Sequence, residues 1–462
     1  MIAVLRRGQR ALESRSARTT LWYVTGHTLQ KGLDFLFMPV FALLLTPEEY
    51  GAVALFLTWM TIFNSTITLR LDRAVGRARY DYDDRRFRQF LSTIAALGTL
   101  TALAALGGLA LLPGETLAAL FRIERRLVLL AASAAAGLFV IEIVLEAWLY
   151  AYRYRLYTAL SLALALLRIV LSLAFILILP GRLPGVDGAL ARALGIALVS
   201  GGGGLVLGAG LLWRGRRPVD RAAWRYALAY SVPLIPHLLA GLLLSQFDRV
   251  LIGQYAGLGA AGIYSFAYQI GSVVFVLWAG ANRAWVPWFF EQMAREGQEG
   301  DSTARVAIRA AIRARASQYT LLFAVVTAGL IIVGPPLARL VTPPEYREGL
   351  AIVPVVMAGC FFMLPHTFYV NLEYYEKRTG TISLGTMLAA AANIALNVAL
   401  IPPYGYPVAA WTTVLGYLLL FLFHAAFVRF RLKQANLFPF LLLLATGLTL
   451  AALAAILQAA TG

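Results

Sequence analysis

The chain has 462 residues, of which 60% are hydrophobic and 14% charged, and a mean hydropathy of +0.73. Soluble domains average about 25% charged residues, so a soluble globular enzyme is excluded, and the longest polar stretch, 290–317, is too short to build a core of its own. The formal net charge of +17 would suit a nucleic-acid binder, but the placement of the basic residues argues otherwise.

About thirteen apolar segments follow one another, each near the roughly 20 residues that carry a helix across hydrocarbon. The predicted spans are 20–46, 50–72, 89–112, 127–150, 156–180, 189–213, 226–253, 259–289, 318–342, 349–372, 381–401, 407–428 and 437–459. Ahead of them, residues 1–19 carry Arg6, Arg7, Arg10, Arg15 and Arg18. This tail imitates a targeting signal, but the apolar segment after it is too long for a signal-peptide core and lacks a small-residue cleavage site. The tail and every second link hold 28 of the 40 basic residues, while the intervening links hold 6 when Arg192, near the start of its span, is counted with them. The positive-inside rule then places the N-terminus and the Arg-rich links, such as 73–88 and 214–225, in the cytoplasm. The basic excess is thus a topology signal with some attraction to anionic lipid, and no nucleic-acid partner is expected. The 37 Arg against three Lys suggest a GC-rich bacterial genome, hence a multi-pass protein of the bacterial plasma membrane. Cys360, the single cysteine, lies mid-span and allows neither a disulfide nor a cysteine metal site within one chain.

A weak internal repeat runs at a spacing of about 210–220 residues, as in many transporters. Gly26-His27 is echoed by Pro236-His237, Tyr50-Gly51 by Ala261-Gly262, and Arg73-Ala74 by Arg283-Ala284. Pro180 with Gly185-Val186-Asp187-Gly188-Ala189 is echoed by Pro403 with Gly405-Tyr406-Pro407-Val408-Ala409. The expected fold is an all-α polytopic membrane protein with two six-helix lobes and a cleft between them. The lobes are related by a pseudo-two-fold axis along the membrane normal, and one extra C-terminal helix follows. The expected division is a cytoplasmic tail at 1–19, an N-terminal lobe at 20–213, a cytoplasmic linker at 214–225, a C-terminal lobe at 226–428 and the additional helix within 429–462.

The stretch YSVPLIPHLLAGLLLSQFDRVLIGQYAGLGAAGIYSFAYQIG, followed by NRAWVPWFFEQM, covers most of Tyr230 to Met293. It resembles the span 7–8 signature of Wzx-type polysaccharide flippases, a branch of the multidrug/oligosaccharidyl-lipid/polysaccharide exporter superfamily. Leu45-Thr46-Pro47-Glu48-Glu49-Tyr50-Gly51, Pro344-Glu345-Tyr346-Arg347, Tyr374-Tyr375-Glu376-Lys377-Arg378-Thr379 and Asn393-Ile394-Ala395-Leu396-Asn397 agree in order. The resemblance implies translocation of a polyprenyl-pyrophosphate-linked oligosaccharide from the cytoplasmic to the outer leaflet by alternating access, for surface polysaccharide such as the O-antigen of lipopolysaccharide. It further implies membrane lipids, a polysaccharide polymerase and a chain-length regulator as partners, and neither a cofactor nor catalysis. A peptidoglycan-precursor flippase is a closer variant that the quoted signatures favour less, and the competing readings are an ion-coupled multidrug/cation antiporter of the same superfamily and a membrane glycosyltransferase or polymerase. The antiporter should favour an acidic cavity, and the glycosyltransferase or polymerase should carry a large outer loop.

Candidate site residues are the ionisable groups that a bilayer penalises by about 2.5–3.5 kcal/mol each at mid-span. His27, Lys31 and Asp34 fall at i, i+4 and i+7 on one helical face. On the resemblance, span 1 borders the central cleft, where Lys31 would meet pyrophosphate and Asp34 would neutralise it or carry a proton. His237, Gly241, Ser245 and Asp248 form a comparable stripe in span 7, above the bend expected at Pro233 and Pro236. Arg283, Arg249 and Arg70 complete the cationic set, although Asp248–Arg249 also fits a local pair and Arg70 fits an interfacial anchor. Arg168 sits mid-span with Glu142 and Glu146 as its expected partners, and ion coupling is the alternative role for those two carboxylates. Gly201–Gly204 reads as close helix packing. Trp285 reads as an interfacial aromatic, and Glu373 is expected at the cytoplasmic rim. The link from Glu291 to Arg315 reads as a solvated amphipathic helix.

Overall fold

Helix starts in the chain are written in aspartates. Asp83, Asp187, Asp220 and Asp301 each accept a backbone N–H from the first turn that follows, at 2.7, 2.7, 3.0 and 2.9 Å to Arg86, Leu190, Ala222 and Thr303. A short side chain with an acceptor oxygen at this position satisfies donors that the helix itself leaves open. The helices that result, in a computed structural model describing residues 29–30, 32–434 and 436–461, are joined by short turns, and no strand occurs among those residues.

The elements are α1 (Gly32–Leu44), α2 (Pro47–Thr66), a 3₁₀ turn (Leu71–Ala74), α3 (Val75–Asp81), α4 (Asp84–Leu111), α5 (Gly114–Phe121), α6 (Arg125–Tyr150), α7 (Tyr154–Ile178) and α8 (Gly188–Gly215). They continue with α9 (Arg221–Ser231), α10 (Ile235–Tyr255), α11 (Gly257–Gly271), α12 (Val273–Gln298), α13 (Ser302–Val341), α14 (Val353–Phe361), α15 (Met363–Tyr375), α16 (Thr379–Tyr404), α17 (Val408–Phe430) and α18 (Phe440–Thr461). Eleven segments are long and apolar enough to cross a membrane, and α2 with the Leu71–Asp81 segment, bent by 52°, makes a twelfth. The chain is therefore all-α and polytopic, as expected. The first predicted span, 20–46, is described only in part, through α1.

One predicted span breaks where the prolines lead one to expect it, and the polar link departs from the single helix expected there. Pro233 removes a backbone donor, and a 3₁₀ turn at Val232–Leu234 separates α9 from α10 there. The polar link 290–317 is helical on both sides of a break at Glu299–Asp301, so the solvated helix continues without interruption into the span, giving α13 its 40 residues.

The described residues form two compact units, those up to Leu45 with Leu55–Ile235, and Thr46–Ala54 with those from Pro236 onward. In the first, α6 and α8 approach so closely that a methyl group on Gly204 would lie 2.4 Å from Gly137 Cα. The glycine run therefore contributes helix packing, as its place inside a span predicted. The core alongside is built from Leu71, Val75, Phe90, Ile94 and Phe139. In the second unit, α14 and α15 pack against α17. Here Trp285 is 1% exposed and lies between Phe289, Phe368 and Trp288, with ring centroids 4.5–5.6 Å away. It is a core aromatic rather than an interfacial one, because α15 and α12 pack over the indole and remove it from the interface.

Candidate functional site

In the first unit the ionisable groups of α2, α3 and α6 form one network at the bend between α2 and α3. Leu69 and Arg70 adopt left-handed backbone, φ 55° and 47°, which ends α2 and redirects the chain. The turn brings Arg70 Nη2 to Asp72 Oδ2 at 2.9 Å and Arg70 Nη1 to Glu142 Oε2 at 3.3 Å. Asn64 Nδ2 donates to the same Glu142 oxygen at 2.9 Å. Arg73 bridges Asp72 at 3.2 Å and Glu146 at 3.4 Å. Arg70 and Asp72 are both buried, so this is a held network rather than an interfacial anchor. A charge inside an apolar span persists only when opposite charges and hydrogen bonds surround it.

Arg168 does not pair with Glu142 or Glu146. Its Nη2 meets Asp34 Oδ1 at 2.7 Å instead, joining α7 to α1 across 134 positions of sequence. Glu142 and Glu146 are taken by Arg70 and Arg73 because the α2–α3 bend delivers those two guanidiniums to the α6 face that carries both carboxylates. His27 and Lys31 lie outside the described residues.

In the second unit Asp248 and Arg249 pair locally. Asp248 Oδ1 accepts from Arg249 Nη1 at 3.2 Å and from the Arg249 backbone N–H at 2.8 Å, while Oδ2 accepts the Tyr264 hydroxyl at 2.6 Å. Arg249 also donates to Ser245 O at 3.0 Å and lies 4.6 Å over the Tyr268 ring. His237 is half-buried, and its Nδ1 is sealed off without a hydrogen-bond partner among the described residues.

Arg283 differs from these. It projects from the middle of α12, is exposed, and has no ion pair or hydrogen bond among the described residues. Earlier in the same helix, groups are already committed elsewhere: Trp278 donates to Thr367 Oγ1 at 3.0 Å, and Asn282 accepts from Asn371 at 3.2 Å.

Sequence reasoning also missed a buried cluster. Glu373, two residues from the end of α15, is fully buried, and its Oε1 lies 2.6 Å from His424 Nδ1. The signal for it was the rarity of His, four in the chain, and of carboxylates within apolar segments. Asn393, Asn397 and Thr412 bond one another between α16 and α17, with Thr412 donating to Asn397 at 2.6 Å and Asn397 to Asn393 at 3.1 Å. No group of three or more metal-ligating side chains occurs among the described residues.

Against known proteins, residues 16–293 match the family model described as polysaccharide biosynthesis protein. The chain belongs to this family. No curated protein sequence matches it significantly. As a polysaccharide biosynthesis protein it shares its fold with two solved transporters at low sequence identity. The lipid II flippase MurJ, in an inward closed conformation, matches with a TM-score of 0.68 at 13% identity, over 95% of this chain and 92% of that one. An inward-facing multidrug resistance MATE family transporter of the MOP superfamily matches with a TM-score of 0.62 at 13% identity, over 88% and 95%. The resemblance read from the span 7–8 signature is thus borne out, and this polysaccharide biosynthesis protein has the fold of that superfamily.

Proposed function

We propose that the protein is a flippase for a polyprenyl-pyrophosphate-linked oligosaccharide, moving it from the cytoplasmic to the outer leaflet of a bacterial plasma membrane by alternating access. The observation that carries this reading is Arg283, a guanidinium in the middle of a span with no acidic partner among the described residues, in a member of a polysaccharide biosynthesis family. An unpaired cation in hydrocarbon is costly, and an anionic headgroup passing through a hydrated path would compensate it. A pyrophosphate and its sugars need such a path, whereas the polyprenol chain is itself apolar and can stay in lipid. Lys31 is the second cation proposed for the headgroup. Arg70 and Arg249 are already bonded to carboxylates and rank behind them.

The MATE-like fold supports a second reading, ion-coupled export of drug cations. The span carboxylates weigh against it, since Asp34, Asp72, Glu142, Glu146, Asp248 and Glu373 all engage a basic side chain. A cationic drug would have to displace one of these pairs. A polysaccharide polymerase and a chain-length regulator are the partners proposed for the product.

Leaflet-resolved transport in proteoliposomes loaded with a defined lipid-linked oligosaccharide tests the proposal. Arg283→Ala should lower the flipping rate at least about tenfold, the loss of one charge-assisted contact worth about 1.4 kcal/mol or more. Arg283→Lys should retain part of the rate. Equal rates in the parent and Arg283→Ala would remove the site, and fluorescent-cation efflux without lipid flipping would replace the reading with the antiporter.

A further inference from the structure

The second unit contains a titratable cluster that the headgroup reading does not use. His424 Nδ1 and Glu373 Oε1 share a hydrogen bond of 2.6 Å between side chains with no solvent exposure. Glu373 Oε2, His424 Nε2 and both ring nitrogens of His366 are sealed from solvent and have no hydrogen-bond partner among the described residues. The two imidazoles lie 5.1 Å apart, centroid to centroid. Four polar atoms left open in a dry interior cost about 1–3 kcal/mol each, and a purely structural pair gives no reason to leave so many.

From these juxtapositions we propose that Glu373, His424 and His366 form a proton-binding site inside the second unit, which takes up and releases one proton as aqueous access to it changes. The charge count explains why one proton is the ligand. With Glu373 ionised and both histidines neutral, the cluster carries a net charge of −1 in an apolar surrounding. One proton from water, added to the pair, gives either an imidazolium–carboxylate pair or a neutral acid bonded to a neutral imidazole, and both are neutral overall. Closure therefore favours the loaded site and wetting favours the empty one. No covalent bond other than N–H or O–H is made or broken, and water or hydronium is the donor.

The surroundings leave the proton to these three groups. On its own helix Glu373 is followed by the half-exposed Tyr374 and preceded by Tyr369, whose charged neighbours are Arg313 from α13 and Arg429 from α17. Cys360 of α14 lies near enough to Tyr268 and Tyr417 to act on them electrostatically. From α16 the backbone at Gly385 comes close, since a methyl group there would stand 2.7 Å from His424 Nε2. From α12 come the neutral Trp278 and Asn282. Glu373 lies two residues from the end of α15, within about 5 Å along the axis, so a local opening of one turn would connect it to water.

Proton binding is independent of the transported substrate, whereas its use as the driving ion rests on the flippase reading, and the test separates the two. In proteoliposomes holding the full-length protein without substrate, infrared difference spectra across a pH titration should show one band of the pair appearing on acidification, a carboxyl band where Glu373 holds the proton or an imidazolium band where His424 holds it. Glu373→Gln should abolish that band, and the amide can keep the bond to His424 so that folding survives. His366→Asn, which breaks no hydrogen bond seen among the described residues, should keep the band and shift its midpoint by about one pH unit. A band unchanged in Glu373→Gln, or a parent without a titrating band, overturns the site. With lipid-linked oligosaccharide present, an imposed pH gradient should accelerate flipping several-fold in the parent and not in Glu373→Gln. Flipping in the parent that ignores the gradient overturns the driving role, and absence of any flipping with the band intact overturns only the flippase reading.

Discussion

Arg73 is the repeat counterpart of Arg283 and Arg70 lies three residues before it, yet the environments of Arg70 and Arg283 are opposite. Arg70 has lost its water to Asp72 and Glu142, whereas Arg283 has no such partner among the described residues. Substitutions should divide accordingly. Asp72→Asn removes one carboxylate from two guanidiniums in a buried network and should cost about 3 kcal/mol of stability, read as a lowered Tm in detergent. Arg283→Ala should change stability by less than about 1 kcal/mol while slowing transport. The presence of these ions inside spans was legible from residue type and position alone. Their partners were not: the Arg168–Asp34 pair spans 134 positions and the Asn64–Glu142 bond spans 78, and such distances depend on how each helix is rotated.

The repeat acquires a physical meaning where α2 meets α11. Gly51 and Gly262, which the repeat places at matching positions, pack directly on each other within the second unit. A methyl group on Gly51 would fall 1.9 Å from Leu258 O, and one on Gly262 would fall 1.9 Å from Pro47 O. Tyr50, Phe266 and Tyr346 close around the crossing, with ring centroids 5.1–6.0 Å apart. Gly262→Ala should destabilise the protein by about 1–3 kcal/mol, since backbone rather than a flexible side chain would have to move; thermal unfolding of the purified chain checks this. A substitution with open space, such as Gly210→Ala, should be neutral or slightly stabilising. The sequence pointed to both glycines as repeat landmarks but gave no reason to expect one against the other.

Across the whole chain, the alternation of basic links predicts which side of the membrane each reaches. In a Cys360→Ala background, a cysteine at Val219, exposed in the linker between α8 and α9, should react with a membrane-impermeant maleimide only from the cytoplasmic face. A cysteine at Glu115 of α5 should react only from outside. The reverse pattern would overturn the orientation, and labelling of Val219 from both faces would overturn its place in a single linker.

Helix content and the polytopic character follow from the sequence because hydrocarbon leaves a chain few options: backbone groups must bond internally, and most charge collects at the ends of spans. The signature in 230–293 likewise carried the family. What only the tertiary structure decided is which ionisable groups neutralise one another. Glu373 illustrates it, read as a rim residue from its distance to the span end yet sealed against a histidine 51 positions away. A helix of 3.6 residues per turn shows which side chains share a face, but the neighbour that covers that face is set by the packing of the other helices.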